Sequence, residues 1–393
     1  MAPHPFGIPV FNSTNTGNLT HWIDITVWKG IPFAATTGGQ NRWKAPQLAS
    51  SAEGYTIDED CLNLNIWSPT STTDAKLPAV MWSYPALSTA VDALFDGGGL
   101  ADKGMVFVSY NYRSGAFGWL ATPELTGELI NGKNSWANWD MVDQFAALKW
   151  IKANIAASSA GSAAMQHILN SELTKGLIDG AILEFGVRYP QDPLCTSLAE
   201  AYRTLEVTYN TSARFLSSLN VTTLAEARAL PMEALTTNFL TSSYDFTATL
   251  HYYAMPDTYH NTLTKSLAQD VPRFLGLYPA TNSATASGAY NSQFTGRTKV
   301  GTWLWSQLWR AHYESPAGAS AYHESEMNYV LNNLYATDKP WTDDDYRIAE
   351  RMSSYRANSI KTGDPNGEGL VRWPAVNPFA LVQHIGDGWA RFL

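Results

Sequence analysis

The cluster Ala157-Ser158-Ser159-Ala160-Gly161 is the first segment whose residue types suit acyl-transfer chemistry, and it lies between two predicted helices. A nucleophilic serine on a sharp turn needs small neighbours, because larger side chains would clash there. The helix that follows directs its N-terminus at the oxyanion that forms on attack. Ser159 is therefore a candidate nucleophile, although the same cluster is also typical of close helix packing or of a flexible turn.

A second candidate is His323, within the string Ala321-Tyr322-His323-Glu324-Ser325-Glu326-Met327. Histidine is the side chain whose ordinary pKa suits a general base near neutral pH. The chain has eight histidines, and His167, His251 and His384 compete for this role. A histidine is more often structural or exposed, so His323 needs support from its context.

A third segment, Asp96-Gly97-Gly98-Gly99, has the composition of a phosphate or oxyanion loop, but a plain turn explains a lone glycine triplet better. The chain has no H-E-x-x-H motif, no paired C-x-x-C motif and no EF-hand loop. It also lacks a dinucleotide-binding fingerprint and a Walker loop. The sequence therefore predicts no metal and no cofactor.

The elements that must position these residues follow an α/β pattern. Short apolar or alternating runs bounded by Gly, Pro or Asp predict strands over Cys61–Trp67, Ala79–Tyr84 and Met105–Tyr112. Helical spacing of apolar residues predicts helices over Trp139–Ala157, Leu205–Leu219, Ala225–Leu235 and Asp343–Thr362. Thr342 and the three aspartates after it form an N-cap that suits the helix dipole. Strands that alternate with helices indicate an α/β sheet architecture.

Composition narrows the possible functions. The 393 residues are 45% hydrophobic and 16% charged, which predicts a folded chain, and without a linker we treat residues 1–393 as one domain. A net charge of −9 disfavours a nucleic-acid partner, because that binding depends on basic side chains. No apolar run is long enough to cross a membrane, and the N-terminus lacks a signal-peptide pattern. Cys61 and Cys195 are expected to be free thiols.

Four N-glycosylation sequons occur, at Asn12, Asn18, Asn210 and Asn220. They matter only if the chain enters the secretory pathway, and a chain rich in Ser, Thr and Asn also produces such triplets by chance. They predict a glycoprotein if the chain is secreted.

Several strings together resemble the type-B carboxylesterase/lipase family, with the character of its fungal secreted members. The most specific string is Glu59-Asp60-Cys61-Leu62-Asn63-Leu64-Asn65-Ile66-Trp67. The other matching strings, which extend the resemblance over nearly the whole chain, are Lys29 to Ala35, Asn41 to Pro46, Asn111-Tyr112-Arg113, Gly118-Trp119-Leu120, Asp143-Gln144, Ala147-Leu148, Ser159 to Ser162, Tyr322 to Glu326 and Thr362 to Gly367.

The resemblance implies an α/β-hydrolase fold that hydrolyses carboxylic esters, either small molecules or lipids, and a secreted location. By position, Ser159 matches the nucleophile of the family and His323 its general base. The backbone N–H of Ala160 then serves as one oxyanion donor. The resemblance implies no oligomeric state.

Compared with that family, this chain lacks pieces where the chemistry takes place. The glycine-rich oxyanion segment is replaced by Ser83-Tyr84-Pro85-Ala86-Leu87, and no strand precedes Ser159. We therefore expect an incomplete central sheet. No catalytic acid follows Asp270-Val271-Pro272, and Asp270, Asp245 and Glu326 stay open as substitutes. A strand before the histidine and the upstream partner of Cys61 are missing too.

Three hypotheses follow from this pattern. The chain is an ester hydrolase with impaired activity, or a catalytically inactive relative that binds a partner, or a defective isoform whose gaps come from splicing or from a mispredicted coding sequence. The clean matches on both sides of each gap motivate the third hypothesis.

Overall fold

The computed structural model describes most of the chain, and the statements below concern only that part. The described residues are 11–12, 24–46, 58–71, 76–84, 89–130, 133–134, 137–155, 162–184, 202–241, 244–251, 253–265, 267–269, 271, 273–277, 300–305, 326–337, 341, 343–373, 383–385 and 391–392.

The N-terminal third forms a mixed five-stranded sheet. Its strands are β1 (Phe11–Asn12), β2 (Thr26–Pro32), β3 (Asn63–Ser68), β4 (Ala79–Trp82) and β5 (Val106–Tyr110). They lie in the spatial order β1-β2-β3-β5-β4. β4 and β5 are parallel, whereas the other pairs are antiparallel. The three strands predicted from sequence are confirmed, each shorter than its apolar run by one to three residues.

A second five-stranded sheet comes from the rest of the chain. Its strands are β8 (Ala181–Glu184), β9 (Arg273–Leu277), β10 (Val300–Trp305), β11 (Gln383–Ile385) and β12 (Arg391–Phe392). They follow the order β12-β11-β10-β9-β8, and every pair is parallel except β11 with β12. Between the two sheets in the chain, β6 (Leu129–Ile130) and β7 (Lys133–Asn134) form a short antiparallel pair.

Eleven α-helices are described. They are α1 (Gly98–Asp102), α2 (Gly115–Trp119), α3 (Pro123–Gly127), α4 (Trp139–Asn154), α5 (Ser162–Asn170), α6 (Leu205–Ser218), α7 (Leu224–Ala229), α8 (Met232–Thr241), α9 (Tyr259–Thr264), α10 (Met327–Val330) and α11 (Asp343–Thr362). None of these helices is long and apolar enough to cross a membrane.

Most helix predictions are confirmed, and one needs correction. The bounds of α11 match the prediction, α4 ends at Asn154, and α6 ends one residue before Leu219. The single helix predicted over Ala225–Leu235 is wrong, because Leu230 is extended (ψ 144°) and separates α7 from α8. Pro231 follows Leu230, and a proline disfavours helical backbone at the residue before it.

β4 and β8 are the end strands of the two sheets within the described part of the chain. Their side chains nevertheless enter the same two hydrophobic clusters. Met81 of β4 and Leu183 of β8 belong to one cluster, which also contains residues of α4 and α5. Trp82 and Ile182 belong to a second cluster, which also contains residues of α10 and α11. The two strands therefore share a helix layer on each face, and the described strands make two sheets instead of one continuous sheet.

Candidate active site

Ser159 and Ala160 lie outside the described residues, but the elements on both sides of them are described. α4 ends at Asn154 and α5 begins at Ser162, so both flanking elements are helices. α5 packs on β8, and its apolar side chains Met165, Ile168 and Leu169 are buried in the first cluster. This packing holds α5, which begins at Ser162, against one face of β8.

His323 also lies outside the described residues, whereas Glu326, three residues later, is described. Glu326 is only 2% exposed and directly precedes α10. In α10, Tyr329 and Val330 pack in the second cluster with Ile182 of β8. The described neighbours of the two predicted catalytic residues therefore pack on opposite faces of the same strand.

The carboxyl ends of β4 and β5 carry a polar network, at the edge where open α/β sheets bind their ligands. Asn111 follows β5, and its Oδ1 accepts hydrogen bonds from Tyr84 Oη (2.8 Å), Thr89 Oγ1 (3.2 Å) and the backbone N of Ala90 (2.9 Å). Its Nδ2 donates to Asn63 Oδ1 at 2.9 Å. One carboxamide thus ties both ends of the segment after β4, where the family resemblance places the oxyanion turn.

Two buried tyrosines, Tyr84 and Tyr110, and the partly buried Tyr112 reinforce this edge. Tyr112 Oη donates to the carbonyl of Tyr84 at 2.6 Å, and the two rings stack with centroids 4.9 Å apart. Ser83 Oγ and Tyr110 Oη form a 2.6 Å hydrogen bond. Burial raises the pKa of Tyr84, Tyr110 and Tyr112 well above the ordinary value for a phenol. These hydroxyls therefore stay protonated, and those of Tyr84 and Tyr112 act as hydrogen-bond donors.

Arg113 and Asp143 form a fully buried ion pair beside the tyrosines. Asp143 accepts hydrogen bonds from Arg113 through Nε (2.7 Å), Nη2 (2.6 Å) and the backbone N (3.0 Å). Their side chains are 3% and 0% exposed. Burial raises the pKa of Asp143, and the guanidinium opposes that rise. The family strings contained both residues, but only the structure shows that they pair.

Asp140 is a second buried carboxyl group, one helical turn from Asp143 on α4. Gln144 Nε2 donates to Asp140 Oδ1 at 2.5 Å. Burial, followed by repulsion from Asp143, raises the pKa of Asp140 well above the ordinary value for an aspartate. Two carboxyl groups near one guanidinium therefore favour a protonated Asp140.

Two of the histidines that compete with His323 are neutral and buried. His167, on α5, contacts Tyr259 Oη through Nδ1, and burial lowers its pKa to about 3. Burial also lowers the pKa of His251 to about 4. Both rings lie in the core, which is typical of structural histidines. The side chain of His384 is outside the described part.

The substitutes for the catalytic acid differ in environment. Asp245 forms an ion pair with Arg203, and its side chain is 66% exposed. Glu326 is buried next to α10, whereas Asp270 lies outside the described residues. Of the two described candidates, Glu326 is therefore buried, whereas Asp245 is exposed and paired.

The glycine triplet has a packing function in the structure. A Cβ at Gly97 would lie 2.0 Å from Phe107 Cδ1, and one at Gly99 would lie 2.4 Å from the carbonyl oxygens of Leu331 and Asn332. Gly98 and Gly99 begin α1 and are buried. Close approach to β5 and to the α10 segment therefore requires glycine at Gly97 and Gly99.

No group of three or more His, Cys, Asp or Glu side chains in the described part is arranged to hold a metal ion. Cys61 is a free thiol, and burial raises its pKa to about 12, so it is not a nucleophile near neutral pH. Cys195 lies outside the described residues.

The strand order, the helices on both faces and the polar edge after β4 and β5 define an α/β-hydrolase fold. A solved structure of PNB esterase superposes on the chain with a TM-score of 0.77, covering 95% of this chain and 94% of that one at 21% identity.

The chain belongs to the carboxylesterase family, whose model matches residues 47–277 and 242–381. It is 26% identical to fumonisin B1 esterase of Sphingopyxis macrogoltabida, over 93% of this chain and 84% of that protein. It is 24% identical to para-nitrobenzyl esterase of Bacillus subtilis (strain 168), over 89% and 88% of the two chains.

Proposed function

We propose that the chain hydrolyses carboxylic esters of small molecules or lipids through an acyl-enzyme on Ser159. Membership of the carboxylesterase family is the observation that carries this proposal. The names of the relatives, which include a fumonisin B1 esterase and a para-nitrobenzyl esterase, support an ester as the substrate. They do not select a particular ester.

The proposed reaction assigns one role to each predicted residue. His323 removes the proton from the Ser159 hydroxyl as that oxygen attacks the ester carbonyl carbon. The Ala160 N–H donates to the oxyanion that forms, and the alcohol leaves with the proton from His323. Water, activated by His323, then attacks the acyl-enzyme and releases the carboxylic acid.

We also propose that this activity is impaired relative to other members of the family. The alignment with fumonisin B1 esterase spans 458 positions, whereas this chain has 393 residues. At least 65 alignment positions therefore have no counterpart here. The flanking of Ser159 by two helices, with β4 and β8 as end strands of separate sheets, supports the loss of a strand before the nucleophile.

The rate penalty follows from these gaps. Loss of one oxyanion donor costs on the order of a hundredfold in turnover. Misplacement of a nucleophile by about 1 Å costs roughly another hundredfold. We expect turnover of an activated aryl ester to be lower than that of intact relatives by about four orders of magnitude.

The alternative is a catalytically inactive esterase-like binding protein or a truncated isoform, and the same gaps favour it. Sequencing of full-length transcripts distinguishes an isoform from an inactive family member. Transcripts that restore the strand before Ser159 would identify the chain as a defective isoform of an ordinary esterase.

Labelling with a fluorophosphonate tests the proposal, because the probe reports an activated serine without knowledge of the substrate. Peptide mass spectrometry locates the adduct in the tryptic peptide from Ala153 to Lys175. We expect an adduct on Ser159 that is lost in Ser159→Ala and in His323→Ala. Ser158→Ala is the matched control and keeps the label.

A chain that remains folded by circular dichroism and carries no adduct refutes the acyl-enzyme and supports the binding alternative. An adduct that persists in Ser159→Ala refutes the assignment of the nucleophile.

A further inference from the structure

The turn between α6 and α7 presents one of the four sequons to solvent. Asn220 is exposed and has a left-handed backbone (φ 57°), a conformation that asparagine tolerates better than most residues. Its backbone N donates to the carbonyl of Ser217 at 3.0 Å, which fixes the turn. Within the described part of the chain, no hydrogen bond from its carboxamide is seen.

The next two residues hold this turn in place from opposite sides. Val221 is 7% exposed and packs in a third hydrophobic cluster with Phe215 and Leu224. Thr222 is exposed, and both its backbone N and its Oγ1 donate to Glu226 Oε2, at 2.9 and 3.2 Å. The asparagine and the threonine of the sequon therefore face solvent while the residue between them anchors the turn.

The other sequon with described side chains also has an exposed asparagine, Asn210, but it differs in its backbone and in its hydroxyl residue. Asn210 lies in the middle of α6, where its backbone is helical. Its hydroxyl partner Ser212 is fully buried, and Ser212 Oγ accepts a hydrogen bond from the backbone N of Ala121 at 3.1 Å. A glycan at Asn210 would therefore be attached to a sequon whose serine hydroxyl, that of Ser212, is buried in the core.

From this contrast we infer that Asn220 is an N-glycan attachment site when the chain enters the secretory pathway. The co-reactant is a lipid-linked oligosaccharide diphosphate. The Asn220 amide nitrogen forms a bond to the anomeric carbon of the sugar and loses one proton, and the C–O bond to the diphosphate breaks. The lipid diphosphate leaves with the electron pair. The glycan then extends into solvent, because Asn220 is exposed.

This inference is independent of the proposed esterase activity, and its test needs no substrate. The full chain, preceded by a cleavable signal peptide, is expressed in a eukaryotic host and collected from the secretory lumen and the medium. Removal of the N-terminal signal peptide shows that the chain was translocated. Peptide N-glycosidase in heavy-oxygen water then converts each glycan-bearing asparagine to a labelled aspartate.

The two sequons fall in separate tryptic peptides, Thr204–Arg214 and Phe215–Arg228, so each is read on its own. We expect the label in Phe215–Arg228 of the wild type, and its loss in Asn220→Gln and in Thr222→Ala. Thr222→Ser preserves the sequon and keeps the label. Asn210→Gln is the matched control and leaves the label in Phe215–Arg228 unchanged.

A translocated chain whose Phe215–Arg228 peptide is unlabelled overturns the inference, as does label in Thr204–Arg214 alone. A second measurement tests the exposed turn directly. The glycosidase should remove the Asn220 glycan from the folded chain without denaturant, and resistance until denaturation would contradict the exposed position of this turn.

Discussion

Replacing Asp143 with Asn should destabilise the fold more than any surface substitution, because it breaks the buried ion pair with Arg113. Asp143 accepts three hydrogen bonds from Arg113, and the two side chains are 0% and 3% exposed. The new amide nitrogen would face the guanidinium, so one donor would oppose another. Arg113 Nη1 is already buried without a partner in the described part, and the other hydrogen bond of the guanidinium is neutral, from Nη2 to the backbone carbonyl of Lys44 at 2.9 Å.

The magnitude follows from that geometry. Removing one member of a buried, hydrogen-bonded pair leaves an uncompensated charge and costs about 3–5 kcal/mol. Domains are typically stable by about 5–15 kcal/mol, so Asp143→Asn should remove a large share of the free energy of unfolding.

Urea unfolding measures this loss, monitored by tryptophan fluorescence and by circular dichroism so that coincident curves justify a two-state treatment. The double variant Arg113→Met/Asp143→Asn is the diagnostic partner. The carboxamide oxygen that Asp143→Asn introduces can still accept from the backbone N of residue 113, and methionine fills the volume of the arginine without its charge. The double variant should therefore be more stable than Asp143→Asn alone.

An exposed ion pair provides the matched control. Glu172 and Lys175 lie 3.3 Å apart, with side chains 61% and 66% exposed. Glu172→Gln should change the free energy of unfolding by no more than about 0.5 kcal/mol. A loss below about 1 kcal/mol for Asp143→Asn, or a double variant less stable than the single one, would refute the reasoning.

Three further predictions concern packing, pH and the polar edge. Gly99→Ala should lower the free energy of unfolding by about 3 kcal/mol in thermal or chemical unfolding, because the added Cβ would lie 2.4 Å from two backbone carbonyl oxygens. Gly127→Ala is the control: its Cβ would meet nothing within 4 Å, so it should be neutral or slightly stabilising. Burial lowers the pKa of His167 from 6.5 to about 3, so between these pH values the unfolded chain binds a proton that the folded chain does not bind. The free energy of unfolding should therefore fall as the pH drops below 6.5, by up to about 5 kcal/mol at pH 3. His167→Gln should weaken this dependence in thermal melts recorded across that pH range. Asn111→Leu should cost about 2–4 kcal/mol in urea unfolding and speed amide hydrogen exchange at Ala90, because the carboxamide makes four hydrogen bonds.

Each of these predictions has a contrary outcome. Equal stability of the two glycine variants would mean that the α10 segment does not approach α1 as closely as the structure shows. An unchanged pH profile in His167→Gln would remove this histidine as the origin of acid sensitivity. Unaltered exchange at Ala90 in Asn111→Leu would show that another contact holds the segment after β4.

Local patterns predicted much of the secondary structure, because apolar periodicity reports directly on burial. α11 has the bounds that its periodicity and its aspartate-rich first turn predict. The strands β4 and β5 lie within their predicted apolar runs, and β3 overlaps its run but ends one residue after it. The prediction of one helix over Ala225–Leu235 is wrong because it rests on apolar periodicity alone. Pro231 in the sequence already indicates a break at the residue before it.

The residues of the candidate site fall into two groups, those assigned from family resemblance and those whose contacts only the structure shows. Ser159, Ala160 and His323 were assigned from family resemblance, and they stay predictions because they lie outside the described residues. Asn111, Arg113 and Asp143 occur in the matching strings, but their spacing does not predict which residues they contact.

The amino-acid sequence by itself determined the class of fold, the positions of most helices and strands, and membership of the carboxylesterase family. Tertiary structure alone decided that Arg113 pairs with a carboxylate 30 residues away, that Asn111 ties both ends of the segment after β4, and that Asn220 faces solvent while Ser212 is buried. The physical reason is the range of the interactions. Helix and strand formation depends on neighbours a few residues apart, whereas burial and pairing depend on which distant segments the packed core brings together.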